Sequence, residues 1–135
     1  LSALKKNKIK SDPSLILNGS FDVESGCIGF TTLMNQKVKP DAIFTANDMM
    51  ALGAYETAKE LRIKIPDDVA IAGFDDIYLS QFLTPRLTTV HVPIHELGSR
   101  AVIYLLETIN KKRNKKVHFE VLPTELIVGG SCGCE

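Results

Sequence analysis

The sequence predicts an α/β domain in which a parallel sheet is sandwiched between helices as a three-layer structure. Ala42 to Ala46 and Val69 to Phe74 are apolar runs of strand length without polar alternation, as in a strand buried on both faces. Between them, Met49 to Leu61 carries Leu52, Tyr55, Ala58 and Leu61 every three residues, the pattern of one helix face. Both apolar runs stop on polar residues, Asn47 and Asp48 after the first and Asp75 and Asp76 after the second. In open parallel sheets ligands bind outside the carboxyl ends of the strands, so these four residues mark the expected site.

A chain of 135 residues is long enough to bury one core. With Lys plus Arg at 16 and Asp plus Glu at 16, the formal net charge is zero, which argues against a nucleic-acid surface on this segment. No apolar run reaches the roughly 18 residues of a membrane helix, and the basic, broken start at Leu1 to Lys10 does not fit a signal peptide; a soluble, cytoplasmic protein is expected. Cys132 and Cys134 are separated by one residue, a poor spacing for an unstrained bridge, so reduced thiols are expected. Metal ligation by this pair needs two more ligands, and nothing in the sequence brings His118 or Cys27 to them; no metal and no cofactor is expected. Leu1, Leu4 and the following lysines look like the last turns of a helix whose front is missing, the mark of a fragment.

In chain order, Leu15 to Leu17 reads as a brief strand after the Ser11-Asp12-Pro13 loop. Phe21 follows it, placed to face either core or ligand. A helix is expected from Asp22 or Ser25 to about Gln36, with Cys27, Phe30, Thr31 and Met34 inward and Gly26 and Gly29 allowing close packing. Asn47 or Asp48 is a natural N-cap for the helix at Met49, and ligand contact is the competing role. Asp75 and Asp76 either cap a short helix near Tyr78 to Leu83 or, because adjacent carboxylates repel, meet a ligand hydroxyl or cation. Leu87 to Val92 is β-branched and strand-like, and Pro93 suits the first turn of a helix. Ile94, Leu97, Ala101, Leu105 and Ile109 then form the clearest amphipathic face in the chain. The basic run at Lys111 to Lys116 suits a solvated helix end, and Val117 to Leu122 and Leu126 to Val128 read as closing strands. His91, His95 and His118 lack a placed nucleophile, so no catalytic residue is assigned.

Taken in order, several segments resemble the effector-binding core of the lactose-repressor/galactose-repressor (LacI/GalR) transcriptional regulators. They are Asn18-Gly19-Ser20-Phe21, Pro40-Asp41-Ala42-Ile43-Phe44 with Asn47-Asp48, Ile65-Pro66-Asp67-Asp68-Val69, Gly73-Phe74-Asp75-Asp76, Pro85-Arg86-Leu87-Thr88-Thr89-Val90, Glu96-Leu97-Gly98 with Ala101, and Leu122-Pro123-Thr124-Glu125-Leu126-Ile127. The resemblance covers about Leu4 to Ser131 and implies an incomplete periplasmic-binding-protein-like fold of type I. It implies that residues 1–10 end a helix of the first subdomain, 11–86 form the second, effector-binding subdomain, 87–116 cross back into the first, and 117–135 close the second and form the tail.

By the same resemblance Asn47 and Asp75 hydrogen-bond an effector and Phe21 packs on its ring. The effector is a small molecule, a carbohydrate or a nucleobase, and operator DNA is met by a helix-turn-helix domain absent from this chain. A homodimer is implied, with Phe82 and Leu83 at its interface, and the Cys132 and Cys134 tail is similar to that of members fused to a further signalling module. Asp48 and Asp76 are then expected as caps. An extracytoplasmic sugar-binding protein of the same fold is the alternative function, and an acidic phosphoryl-transfer site at Asp75 and Asp76 lacks the converging lysine it needs.

Overall fold

The computed structural model describes residues 2–110 and 119–134. Its helices are α1 (Ser2–Lys6), α2 (Val23–Met34), α3 (Asp48–Glu60) and α4 (Ile94–Ile109), and its strands are β1 (Ala42–Phe44), β2 (Ala70–Ala72), β3 (Thr89–His91) and β4 (Glu125–Ile127). Short 3-10 turns lie at Pro13–Leu15, Tyr78–Phe82 and Gly130–Cys132. β1 and β2 pair in parallel with Ile43 opposite Ile71, while β3 and β4 pair antiparallel with Val90 opposite Leu126. Parallel bridges at Ala72↔Thr88 and Asp75↔His91 join the two ladders. The α/β class with parallel strands is as the sequence predicts.

The core lies between the sheet and α2 and α3. Ile43 and Ile71 point into it, where Phe30, Leu33, Ala54 and Leu87 complete the packing. Burying each large side chain contributes about 1.5 to 3 kcal/mol. α2 and α3 touch through glycine. A Cβ on Gly53 would fall on the Val23 carbonyl oxygen, and one on Gly26 on the Met50 carbonyl oxygen, so each helix backbone rests on the other.

Several expectations need correction. The buried side of α2 is Gly26, Phe30, Leu33 and Met34; Thr31 is exposed and turns its hydroxyl to the Cys27 carbonyl. On α3 the three-residue spacing drifts off the 3.6-residue turn, so Leu61 is half exposed and Ala51, Ala54 and Ala58 take the core. Residues 16–17 are extended without a ladder partner among the described residues, and residues 119–124 form no strand. Asp48 and Asp76 are not caps: Asn47 caps α3, and the Tyr78–Phe82 turn has Ile77 at its N-cap with no side-chain cap bond. Pro93 is the N-cap position of α4 rather than its first turn. The basic run 111–116 and His118 lie outside the described residues.

α4 has the expected apolar stripe and yet buries no residue; Ile94, Leu97, Leu105 and Ile109 are all exposed. Among the described residues no helix is long and apolar enough to cross a membrane.

Two predictions follow from the packing. Gly53→Ala is expected to force α2 and α3 apart and cost about 1 to 3 kcal/mol by urea unfolding; an unchanged midpoint would show that the helices are not in backbone contact. Tyr55 is buried and its hydroxyl donates to the Pro85 carbonyl at 2.9 Å. Burial pushes its phenol up from 10.0 to about 12. The folded state therefore stays protonated where the unfolded chain ionises, so this stabilisation is complete below pH 10.0 and is lost as pH rises through about 12. Tyr55→Phe should accordingly lose stability less steeply than wild type over that window, and parallel curves would contradict the assignment.

Candidate functional site

The strand ends meet on the edge where the chain turns from sheet into helix. Asn47 has an extended backbone and caps α3, its side-chain oxygen accepting from the Met50 amide at 3.0 Å. Its Nδ2 donates to the Phe21 carbonyl at 2.9 Å, so the same side chain fixes the loop ahead of α2. An amide side chain offers two donor hydrogens and two acceptor lone pairs, which leaves Asn47 one of each for a ligand. Phe21 sits just before Asp22, which caps α2 through the Ser25 amide at 2.8 Å. With φ of 61° and 64% exposure, Phe21 is turned away from the core.

Asp75 lies beyond β2, with its amide donating to the Val90 carbonyl at 3.0 Å. Among the described residues no donor reaches its part-buried carboxylate. Burial first, and then the charge of Asp48, raise its pKa above the usual carboxylate value. Its φ of 109° and the 56° of Asp76 are left-handed, a conformation that costs side-chain-bearing residues about 1 to 3 kcal/mol and collects at functional sites.

Asp76 has a partner: its Oδ2 lies 2.8 Å from Nδ1 of His91, across the Asp75↔His91 bridge. This contact gives one of the two adjacent carboxylates a partner and leaves Asp75 without one among the described residues. Sequence reasoning placed His91 on a strand without giving it this partner. The signal was its register with Asp75, which becomes visible only when β3 is laid beside β2.

Behind the rim, Asp48 is fully buried. Its Oδ1 accepts from the Thr89 hydroxyl at 2.6 Å, its Oδ2 from the Ile77 amide at 3.0 Å, and its own amide donates to the Phe74 carbonyl at 2.8 Å. Asn47 and Asp75 therefore sit on strand ends that Asp48 holds side by side. Phe82, expected at a dimer interface, is 63% exposed and meets Tyr78 edge-on at 5.0 Å, whereas Leu83 is part-buried against the core. The rim set of one carboxylate, one amide and one exposed ring suits hydrogen bonding and stacking of a small polar molecule.

Comparison with known proteins gives this geometry a family. Residues 4–132 match the model of the periplasmic binding protein-like domain. The HTH-type transcriptional repressor PurR of Proteus mirabilis (strain HI4320) is 41% identical over 123 residues, which are 91% of this chain and 36% of that repressor; the chain thus spans about a third of that relative. A regulatory protein of LacI family from Chloroflexus aggregans superposes with a TM-score of 0.85 at 32% identity, covering 96% of this chain and 47% of that one. The transcriptional regulator CelR in its cellobiose complex superposes with a TM-score of 0.91 at 29% identity, covering 96% of this chain and 39% of that one. With nearly its whole length matched, the chain belongs to the periplasmic binding protein-like domain family.

Proposed function

We propose that this chain is the C-terminal part of the effector-binding and dimerisation core of a LacI/GalR-type transcriptional regulator. The observation that carries the reading is the Asp75 carboxylate, without a donor among the described residues, on a strand end joined to that of Asn47 by the Asp48 amide and Phe74 carbonyl, with Asn47 in turn bonded to the Phe21 carbonyl. The carboxylate is open to solvent, since no buried side-chain oxygen is left unbonded among the described residues, and a ligand hydroxyl or N–H can take the place of water on it. The relatives support a regulator over an extracytoplasmic binding protein, since they are repressors and LacI-family proteins. No catalytic role is proposed.

In this reading Asp75 accepts from the effector, Asn47 adds a donor and an acceptor, and the Phe21 ring covers its apolar face. The effector class is carbohydrate or nucleobase, in keeping with the cellobiose held by CelR. Residues 11–86 and the closing strand act as the second subdomain, and residues 1–10 and 87–116 belong to the first. The uncovered apolar stripe of α4 supports that division. Operator DNA is engaged through a helix-turn-helix domain outside this chain, and the regulator is a cytoplasmic homodimer with exposed Phe82 as the better-placed interface residue. Effector binding in the cleft and DNA binding elsewhere are then coupled through the dimer.

Calorimetric titration of the protein against a sugar and nucleobase panel tests the site. For the compound that binds, Asp75→Asn should weaken affinity by about tenfold or more, the cost of a hydrogen bond to a charged group. The same substitution should not lower the melting temperature, because its raised pKa means that the folded state disfavours the charge that is removed. Asn47→Ala should weaken binding and also cost about 1 kcal/mol of stability through the lost cap. Wild-type affinity in Asp75→Asn would remove Asp75 from the site.

A further inference from the structure

The segment beyond β4 is held to the sheet by a dense set of hydrogen bonds. Ser131 is fully buried, its hydroxyl donating to the Ile71 carbonyl at 2.6 Å and accepting from the Thr88 amide at 2.7 Å. Its own amide donates to the Arg86 carbonyl at 3.1 Å, and Thr88 and Gly129 exchange two further bonds of 3.0 and 2.9 Å. The 3-10 turn Gly130–Cys132 is thereby bolted to β2 and to the segment leading into β3. Gly133 then takes a left-handed turn, φ 71° and ψ 12°, which a residue with a Cβ adopts only under strain.

That turn folds Cys134 back onto Cys132, so that the Cys134 amide donates to the Cys132 sulfur at 3.3 Å. The Cys132 thiol lies below its ordinary pKa, first through the adjacent Cys134 thiol and then through the Thr88 hydroxyl. Cys132 is part-buried and Cys134 exposed. The Cys132 sulfur also lies 3.5 Å from the Gly129 carbonyl, to which its S–H donates, while Cys27 is distant in the fold and donates its S–H to the Gly53 carbonyl between α2 and α3. Among the described residues no group of three or more His, Cys, Asp or Glu side chains is placed to hold a metal ion. Two accessible thiols on a rigid base, one of them receiving an amide hydrogen bond, make a dithiol rather than a metal cage.

We propose that Cys132-Gly133-Cys134 is a redox-active dithiol that exchanges with small disulfides and closes to an intramolecular Cys132–Cys134 bridge. In the first step the Cys132 thiolate attacks one sulfur of the small disulfide, whose S–S bond breaks and releases one thiolate. The Cys134 thiol then loses its proton, and its sulfur attacks Cys132 in the mixed disulfide and expels the second thiolate. The two cysteines give up two electrons, and the small disulfide becomes two thiols. With a single residue between the cysteines, closure is intramolecular and outruns reaction with a second molecule. The same short spacing strains the bridge, which keeps it reducible and the reaction reversible.

The test is oxidation of the protein by glutathione disulfide, an acid quench, alkylation of free thiols and peptide mass mapping. Of the three cysteines, wild type should lose two alkylatable thiols, with the tail peptide two hydrogens lighter and no glutathione attached, and dithiothreitol should restore both. Cys27→Ser should leave that bridge unchanged. Cys134→Ser, a change at an exposed position, should halt at a glutathione adduct on Cys132, because the second attacking sulfur is gone. Three alkylatable thiols after oxidation, stable glutathione adducts on wild-type Cys132 or Cys134, or a bridge joining two molecules would each overturn the proposal.

Discussion

The buried carboxylate of Asp48 is the constraint on which the site depends. It is the first residue of α3, where the amide ends of the helix favour a negative charge, and both of its oxygens accept hydrogen bonds. Without those bonds a fully buried carboxylate would cost several kcal/mol. With them it ties the start of α3 to β3 through Thr89 and to the segment after β2 through Ile77. The four-residue rim of Asn47, Asp48, Asp75 and Asp76 is thus divided by burial. One carboxylate holds the frame, another pairs with His91, and a third has no hydrogen-bond donor among the described residues.

This division also separates stability from function. In the proposed site Asn47 serves both, since its cap and its hold on the Phe21 carbonyl use half of its hydrogen-bonding capacity. Asp75 serves only one. Its backbone is left-handed, its charge is disfavoured by burial and by Asp48, and no donor among the described residues relieves it. In the proposed reading this loss of stability is offset by the effector that Asp75 binds, a relation often found between strain and function.

Much of the fold was legible in the sequence because its signals are local. The two apolar runs, the capping residues before α3 and the amphipathic stripe of α4 each predict their element from neighbouring residues alone. Contacts that join distant segments were not legible. Asp48 and Asn47 are equally good caps on composition, and only the approach of Thr89 and Ile77, 41 and 29 residues away, decides between them. The His91 partner of Asp76 depends in the same way on strand register. Leu61 was misplaced because a spacing of three residues falls short of the roughly 3.6-residue turn and walks off a helix face within about two and a half turns. The tail cysteines stood out as a motif, but their closeness to Thr88 and the burial of Ser131 emerge only from tertiary packing.

The claim that one buried side chain holds the strand ends together is tested most directly by a double-mutant cycle on Asp48 and Thr89, read as unfolding free energy. Asp48→Ala and Thr89→Val, alone and combined, should give a coupling energy of about 1.5 to 3 kcal/mol, the range of a hydrogen bond to a charged group. Additive effects within about 0.5 kcal/mol would contradict the account, since the two side chains would then act independently.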